Sequence, residues 1–378
     1  MDFRLTPEQQ MIKDVAARFA REVCEPRAEE IDRTGRFPMD SFRQMAECGL
    51  TGLGFPAKYG GAGEDKLAEV LAVEEIAKVC ATQAAMLSIH GVTPWLLSHF
   101  GDDAQKEKYL PRLLAGGELG GFALTEPGAG SDASRVQTTA VAEGDHYVLN
   151  GTKCFITGGG VASVYTIVAQ TDKSKGVRGL TAFIVEGDTP GFSIGKIEDK
   201  MGIRGSQTAE LIFEDVQVPA ENILGKPGKG FKYAMMVLDS ARIGTGAQGL
   251  GIAQGALDLS IQYVKERVQF GGPIARLQGL QWYLAEMKTK VESARWMVYH
   301  AADLENRGES FTTEAAMAKL HASQVAREVT NLALQIHGGY GYMKDYPLER
   351  MYRDAKITEI YEGTSEIMKV VIASNILK

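Results

Sequence analysis

The segment Ile360–Ile367 carries a carboxylate that could act as a proton acceptor in catalysis. Glu362 stands between Tyr361 and Gly363 and interrupts an apolar, helical pattern. A glutamate that is removed from water has a raised pKa, and this suits general-base chemistry near neutral pH. A solvated acid at the end of a helix would explain the same residues. The segment by itself therefore leaves both interpretations open.

A second segment with chemical potential is FALTEPGAGSD, at residues 122–132. Its glycines would let backbone amides approach a ligand closely, and Thr125 and Ser131 offer hydroxyl groups. The segment is typical of a loop that holds a phosphate or a heterocycle.

A third segment, KCFITGG at residues 153–159, places Phe155 and Thr157 two residues apart. On a regular strand these side chains would share one face. An aromatic ring there could cover a flat cofactor while the hydroxyl group bonds the edge of that cofactor. The alternative is that Phe155 is an aromatic residue of a sheet core.

Other motifs point to structure rather than to chemistry. GTGAQG at residues 244–249 matches the dinucleotide-binding pattern, but it follows a helical segment rather than a strand. We interpret its small residues as positions of close helix packing. The six histidines have no metal-ligand spacing, so we predict no metal site. We interpret His337 as a satisfied core or surface residue and residues 173–178 as a solvated loop.

Composition limits the function classes. The 378 residues carry a net charge of −7, with no Lys/Arg cluster that alternates with aromatic residues, and this argues against nucleic-acid binding. We find no apolar run of the ~20 residues that a membrane span requires. The N-terminus lacks a secretory signal pattern, and the four cysteines are scattered. We expect reduced thiols and a cytoplasmic protein.

The periodicity of the chain predicts three domains. Residues 1–118 are expected to be helical, with Thr6 as N-cap, Pro7 at the first helical position and Gln9 in a capping box. Residues 119–228 show short or alternating apolar runs that are typical of an antiparallel β domain. Residues 229–378 predict a four-helix bundle. The expected helices are 39–49, 66–80, 84–99 (interrupted near Pro94), 103–115, 229–268, 275–307, 312–338 and 348–376. The expected β runs are 140–149, 164–169, 180–185 and 209–213.

Over essentially its whole length, the sequence resembles the acyl-CoA dehydrogenase family. The resemblance is carried by FALTEPGAGSD, KCFITGG, KMGIRGSQT (200–208), LDSAR (238–242), RVQFGGPI (267–274), QIHGGYGY (335–342) and RDAKITEIYEGTSEI (353–367). Gly158 departs from the family, which more often has Asn there. The resemblance implies an α+β multidomain fold with an N-terminal all-α domain, a middle β domain and a C-terminal four-helix bundle.

The resemblance further implies FAD as cofactor, a homotetramer built as a dimer of dimers, and an electron-transferring flavoprotein as electron acceptor. The implied cofactor-binding residues are Phe122, Leu124, Thr125, Gly130, Ser131, Phe155, Ile156, Thr157, Arg267, Phe270, Gln278, Gln335, Gly338, Gly339, Thr364 and Glu366. Six of them would contact the pyrophosphate and adenosine of FAD from a neighbouring subunit: Arg267, Phe270, Gln278, Gln335, Gly338 and Gly339. Thr364 and Glu366 would complete that FAD pocket. The implied substrate-binding residues are Ser131, Asp239, Arg242, Tyr361 and Gly363.

The reaction that the resemblance implies is α,β-dehydrogenation of an acyl-CoA thioester. Glu362 would remove the α proton while hydride passes from the β carbon to the flavin. Some members carry this base immediately before the arginine of the LDSAR segment, but Ala241 occupies that position here. With the resemblance, we therefore predict that Glu362 is the base and that the bend at Gly363 directs it.

The sequence defines the acyl group and the direction of the reaction less well than the reaction class. In this family, residues near 85–97 and the helix that carries residues 281–283 close the acyl pocket. If Trp282 and Tyr283 point inward, they shorten the pocket, and this favours a short acyl group such as butyryl. Alicyclic or aryl-propionyl groups stay open, as do an enoyl-CoA reductase, an acyl-CoA oxidase and a non-catalytic helical scaffold.

Overall fold

A computed structural model describes residues 4–63 and 65–378 of the chain. The described residues form a helical region, a β region and a second helical region in that order. The proposed divisions after residues 118 and 228 fall in connecting segments between regular elements.

Within residues 4–63 and 65–118, the first region contains seven α-helices. They are α1 (Pro7–Phe19), α2 (Ala28–Thr34), α3 (Met39–Glu47), α4 (Lys66–Ala77), α5 (Ala81–His90), α6 (Val92–Phe100) and α7 (Asp103–Leu114). The capping box of Thr6 and Gln9 at the start of α1 is confirmed. The helix predicted over 84–99 is interrupted at Gly91 rather than at Pro94. Pro94 lies in the first turn of α6, where a missing backbone N–H is tolerated.

The middle region is a seven-stranded sheet. Its strands are β1 (Gly120–Ala123), β2 (Thr139–Glu143), β3 (His146–Thr157), β4 (Val164–Gln170), β5 (Leu180–Glu186), β6 (Phe192–Ile197) and β7 (Thr208–Pro219). The predicted run 140–149 is a hairpin, because Gly144 takes a positive φ of 63° between β2 and β3. The sheet is not purely antiparallel, since β1 pairs with β4 in parallel.

The last region contains long helices and a small hairpin. The elements are α8 (Gly230–Glu266), β8 (Val268–Gln269), β9 (Gly272–Pro273), α9 (Gln278–Asn306), α10 (Thr312–His337), α11 (Leu348–Ile357) and α12 (Ser365–Ile376). The segment predicted as one helix over 348–376 is two helices, and Glu362 lies in the break between them.

The glycine-rich segment 244–249 lies inside α8, as the packing interpretation requires. A Cβ at Gly244 would lie 2.2 Å from Ser88 Oγ, and one at Gly246 would lie 3.0 Å from a methyl group of Val298. These glycines let α5, α9 and α10 approach α8 closely. The packing interpretation is confirmed, and α8 becomes the central helix on which the candidate site is built.

Candidate active site

The turn that carries Glu362 has an uncommon backbone conformation. Glu362 has a φ of 55° and Gly363 has a φ of 98°, so two consecutive residues are left-handed. A non-glycine residue in this region costs about 1–2 kcal/mol, and such strain is often found at functional sites. A Cβ at Gly363 would lie 2.7 Å from Met368 Cε, so another residue there would have to displace the end of that side chain in addition to adopting a left-handed φ. Thr364 then caps α12 by accepting a hydrogen bond from the Ile367 N–H.

Two buried cations hold this turn through its carbonyl groups. Arg242 Nε of α8 donates to Glu362 O at 3.3 Å, and Lys319 Nζ of α10 donates to Gly363 O at 2.6 Å. Tyr361 OH donates to the side chain of Gln248. Three bonds from two helices therefore hold the turn in its strained conformation.

The Glu362 carboxyl group itself is left without a hydrogen-bond partner at one oxygen. Its Oε2 is buried and makes no hydrogen bond within the described residues, although the residue as a whole retains some exposure. Burial raises the pKa of Glu362, and the charges of Arg242 and Lys319 offset only part of this effect. A desolvated carboxylate with a raised pKa is a good proton acceptor near neutral pH.

The segment 122–132 is held against β3 by a buried ion pair. Lys153 Nζ donates to Glu126 Oε1 at 2.8 Å and to Leu124 O at 3.0 Å, and both charged side chains are almost fully buried. The Cys154 N–H donates to Thr125 O. Burial lowers the pKa of Lys153 to about 8, although Glu126 opposes that shift. The backbone at residues 124–126 is therefore rigid, while Gly130 and Ser131 farther along are exposed.

Phe155 lies on a β-bulge of β3 and not on a regular strand. The pairing with β7 shifts by one residue between Lys153 and Ile156, and Phe155 has a φ of 56°. The shared face of Phe155 and Thr157 therefore does not follow from strand alternation, which corrects our expectation. The Phe155 ring is 65% exposed, so it is not a core aromatic. An aromatic face open to solvent on a strained bulge fits a flat, stacked ligand.

Helix α8 contacts both the segment 122–132 and the turn at Glu362. Its first turns pack against the segment 122–132, where Leu238 and Met235 lie in the same apolar cluster as Leu124 and Phe122. The next turn supplies Arg242, which holds the carbonyl of Glu362. With a rise of 1.5 Å per residue, Arg242 lies roughly 6–10 Å along the helix from Leu238 and Met235.

Arg242 and its neighbour Asp239 are engaged with the protein rather than free for a ligand. Arg242 is 5% exposed and donates to Asp239, whose other oxygen accepts a bond from Thr312 Oγ1 at 2.7 Å. Contact of these two residues with CoA stays a prediction. The geometry shows Arg242 as a residue that positions the turn.

A separate groove of about 530 Å³ lies at the opposite end of α8. It brings Arg267 together with Gly338 and Gly339, and the Arg267 guanidinium lies over the ring of Tyr340 at 5.2 Å. Phe270, on the adjacent hairpin, is 83% exposed with a φ of 52°. Gln278 and Gln335 are not among the residues that line this groove. His337 is buried and its Nδ1 lies 2.8 Å from Ala333 O, in agreement with a satisfied core histidine.

A cavity of about 200 Å³ lies between α8 and the helices α4, α5, α6 and α9. Residues 88–99 contribute to it, but Trp282 and Tyr283 do not. These two aromatic side chains are 60% and 39% exposed, because α9 buries the face that carries Met287, Val291 and Ala294. The condition that they point inward is therefore not met, and they do not shorten this cavity.

Sequence reasoning missed the buried lysines. Lys153 and Lys319 are both fully buried, and each stands alone in an otherwise apolar or small-residue stretch. An isolated lysine on a predicted buried face was the available signal, since such a residue is rarely buried unless it is paired.

Comparison with known proteins now identifies the family. Three family profiles match consecutive parts of the chain: the acyl-CoA dehydrogenase N-terminal domain over residues 6–117, the middle domain over 121–216 and the C-terminal domain over 228–377. The chain belongs to the acyl-CoA dehydrogenase family. Its members are flavin-dependent oxidoreductases, and the predicted three-part fold is confirmed.

Individual relatives are similar to this chain over nearly their whole length. An acryloyl-CoA reductase (NADH) of Anaerotignum propionicum is 63% identical, with 100% of this chain and 96% of that protein covered. The structure of butyryl-CoA dehydrogenase from Megasphaera elsdenii is 50% identical, with full coverage of both chains and a TM-score of 0.98.

A third similar chain comes from a structure described as "Electron transferring flavoprotein of Acidaminococcus fermentans: Towards a mechanism of flavin-based electron bifurcation". It is 53% identical, with full coverage of both chains and a TM-score of 0.98. Within the part of the chain that the structure describes, no helix is both long and apolar enough to span a membrane.

Proposed function

We propose that this protein interconverts a short-chain acyl-CoA and the corresponding trans-2-enoyl-CoA, with Glu362 as the proton acceptor at the α carbon and FAD as the cofactor. The observation that carries the proposal is the turn at Glu362. A buried carboxyl oxygen without a partner is held on a strained backbone by two cations that bond carbonyl groups instead of the carboxylate.

The residues around the turn suit each requirement of the reaction. The Glu362 carboxylate takes the α proton, and its raised pKa makes it a stronger base than an exposed glutamate. The backbone N–H of Glu362 makes no hydrogen bond within the described residues, so it is available to the thioester oxygen. A donor fixed at that position stabilises the negative charge that develops on the oxygen. Arg242 and Lys319 keep both groups in place.

The residues present also fit a flavin. Phe155 offers an exposed ring, Thr157 lies two residues farther on, and Gly130 and Ser131 are exposed on the segment fixed by Lys153. FAD, when bound, supplies the hydride acceptor for the β carbon. We propose that Phe122, Leu124, Thr125, Ile156, Thr364 and Glu366 complete its pocket.

The experiment that tests the proposal is anaerobic mixing of the purified protein with butyryl-CoA. Loss of the flavin absorbance near its oxidised maximum is expected, with trans-2-butenoyl-CoA as product. A colourless protein that cannot be reconstituted with FAD would instead support a non-catalytic scaffold. Rapid, stoichiometric peroxide on admission of air would support an oxidase.

We propose that the Arg267 groove binds the adenosine and pyrophosphate part of FAD from a second subunit of a homotetramer. The cation at Arg267, the open glycines Gly338 and Gly339, and the exposed Phe270 support a shared site. Arg267→Ala should lower FAD content and shift the tetramer toward smaller species together, as measured by absorbance and light scattering. Arg307→Ala, which removes an exposed arginine of the α9–α10 connection, is the control.

The reductive direction is a second candidate. It is favoured by the 63% identity to an acryloyl-CoA reductase, a protein whose name specifies an enoyl substrate. The same turn serves both directions, because a protonated Glu362 returns the proton to the α carbon. We propose an electron-transferring flavoprotein as the redox partner, and the similarity to the Acidaminococcus fermentans chain supports it. Comparison of rates with butyryl-CoA and acryloyl-CoA, in the presence of oxidised or reduced partner, separates the directions.

A further inference from the structure

The cavity beside α8 differs in chemistry from one side to the other. The α8 side carries Val237, Ser240 and Ala241, and the residue that follows them, Arg242, bonds the carbonyl of Glu362. The cavity lining on α8 thus ends one residue before the arginine that holds the turn of the proposed base. Its volume of about 200 Å³ is slightly larger than the ~150 Å³ cavity that accommodates benzene in another protein. It therefore has room for a small acyl group.

The other side of the cavity is charged. Lys66 and Glu69, both from the first turn of α4, form an ion pair of 2.8 Å and are at most 9% exposed. Glu305, from the last turn of α9, lies beside them. Together these three residues, which we call the charged wall, have one positive and two carboxylate groups. An alkyl chain placed against them would displace water from charged groups without replacing its hydrogen bonds, and this is unfavourable.

One atom of the charged wall is an acceptor without a donor. Glu305 Oε1 accepts a bond from Trp95 Nε1 at 3.2 Å. Glu305 Oε2 is buried and has no hydrogen-bond partner among the described residues. A buried acceptor in this state gains free energy when a ligand or a water molecule donates to it.

We propose that the charged wall of Lys66, Glu69 and Glu305 determines acyl specificity: it excludes long alkyl chains and accepts an acyl group whose terminal atom donates a hydrogen bond. The inference rests on the proposed function, because it takes this cavity as the place of the acyl group. It assigns to α4 and α9 a selectivity that Trp282 and Tyr283 do not provide.

The sharpest test uses two thioesters of equal size. Pentanoyl-CoA and 4-hydroxybutyryl-CoA have the same number of heavy atoms in the acyl chain, but only the second ends in a hydroxyl donor. For the purified flavin-loaded enzyme, we expect kcat/KM for 4-hydroxybutyryl-CoA to exceed that for pentanoyl-CoA by about tenfold, the effect of one buried hydrogen bond to a charged group. We expect octanoyl-CoA to fall at least about 100-fold below butyryl-CoA, because several methylene groups would meet the wall.

Variants of the wall should change these ratios rather than activity in general. Glu305→Met leaves the Lys66–Glu69 pair intact and should abolish the preference for the hydroxylated thioester. The triple variant Lys66→Met/Glu69→Met/Glu305→Met removes the charges together, so that no lone charge is buried, and should raise the octanoyl to butyryl ratio at least about tenfold. Glu309→Met, an exposed glutamate that pairs with Arg307, is the matched control and should leave both ratios unchanged.

Each outcome has a distinct meaning. Equal rates with butyryl-CoA and octanoyl-CoA in the unmodified enzyme would overturn the inference about the charged wall but not the proposed function. An unchanged hydroxyl preference in folded, flavin-loaded Glu305→Met would do the same. Failure of all four thioesters to bleach the flavin would overturn the proposed function, and the inference with it. If the triple variant does not fold, the single variant and the ratios of the unmodified enzyme still decide the question.

Discussion

Two glutamates with buried carboxyl oxygens, each close to a buried lysine, differ in how their carboxyl groups are bonded. Glu126 in the β domain accepts bonds from Lys153 Nζ and from the backbone N–H groups of Gln137 and Thr138. Glu362 has Arg242 and Lys319 nearby, but both cations bond carbonyl oxygens of the turn. The first carboxylate is satisfied, and the second has a buried oxygen without a partner.

The pKa shifts of the two acids follow from this difference. Burial would raise the pKa of Glu126, but Lys153 and the backbone donors outweigh it and lower that pKa. Burial raises the pKa of Glu362, and Arg242 and Lys319 do not compensate fully. Both lysines have their pKa lowered by burial to about 8. The groups that a nearby cation bonds, and not its presence alone, therefore decide whether the pKa of a buried carboxyl group is lowered or raised.

The largest expected effect is on turnover in Glu362→Gln. Loss of a general base typically lowers the rate by about 10²–10⁴-fold. We expect flavin bleaching by butyryl-CoA to be lost while binding of FAD and thioester is retained, as measured by stopped-flow absorbance and equilibrium titration. Bleaching at the normal rate would show that Glu362 is not the base, and the contrast with Glu126 would then have no functional meaning.

The same variant should not lower stability at neutral pH. The folded pKa of Glu362 is raised, so its ionised form disfavours the folded state above the unfolded pKa. Glu362→Gln should therefore unfold at an equal or higher temperature than the unmodified protein at pH 7. The difference in unfolding temperature should shrink as the pH falls through the folded pKa of Glu362. The carboxyl group of the unmodified protein then becomes protonated and is neutral, like the amide of the variant.

Glu126→Gln should show the reverse behaviour. It leaves the Lys153 charge buried without a counter-charge, and the expected loss of stability is about 3–5 kcal/mol. Because the folded pKa of Glu126 is lowered, this loss is full above the unfolded pKa and declines as the pH falls through the folded pKa. Thermal unfolding across pH would measure it. Activity per bound flavin should be retained in the fraction that folds, and a selective loss of turnover would contradict the structural role.

Lys319→Met tests whether the cation beside Glu362 matters. Loss of the positive charge should raise the pKa of Glu362 further and release the Gly363 carbonyl. The further rise in the pKa should lower turnover more at low pH than at high pH, with recovery as the pH rises. Lys290→Met, which removes one partner of the more exposed pair with Glu328, is the control and should leave the pH profile unchanged.

The smallest effect is expected in the double variant Glu126→Gln/Lys153→Met. It removes both charges, so no unpaired ion is buried, and the glutamine oxygen can still accept from the backbone. We expect a loss of only about 1–2 kcal/mol, well below that of Glu126→Gln alone. Additive losses in a double-mutant cycle would mean that the pair does not interact as the distances indicate.

Several features of the fold could be predicted from local sequence. Thr6 and Gln9 form the expected capping box because both partners lie within one turn of the chain. The glycines of segment 244–249 could be interpreted as packing positions because the helical pattern around them is continuous. The break at Glu362 was visible as an interruption of the apolar periodicity, although the segment around it was expected as one helix.

Other features depend on contacts between distant residues. The bulge at Phe155 arises from a register shift against β7, some fifty residues away, so no alternation rule could show it. The outward position of Trp282 and Tyr283 depends on which face of α9 the bundle buries. The charged wall combines α4 and α9, which are more than 200 residues apart in sequence.

The sequence by itself determined the family, the order of helical and β regions, and the identity of the acid near Gly363. These properties are encoded in local patterns and in motifs that keep their order along the chain. Only the tertiary structure decided that Lys319 and Arg242 bond the backbone of the turn and leave a carboxyl oxygen of Glu362 without a partner. The pKa of a carboxyl group depends on burial and on the groups around it, and those groups come from helices that the sequence lists separately and folding brings together.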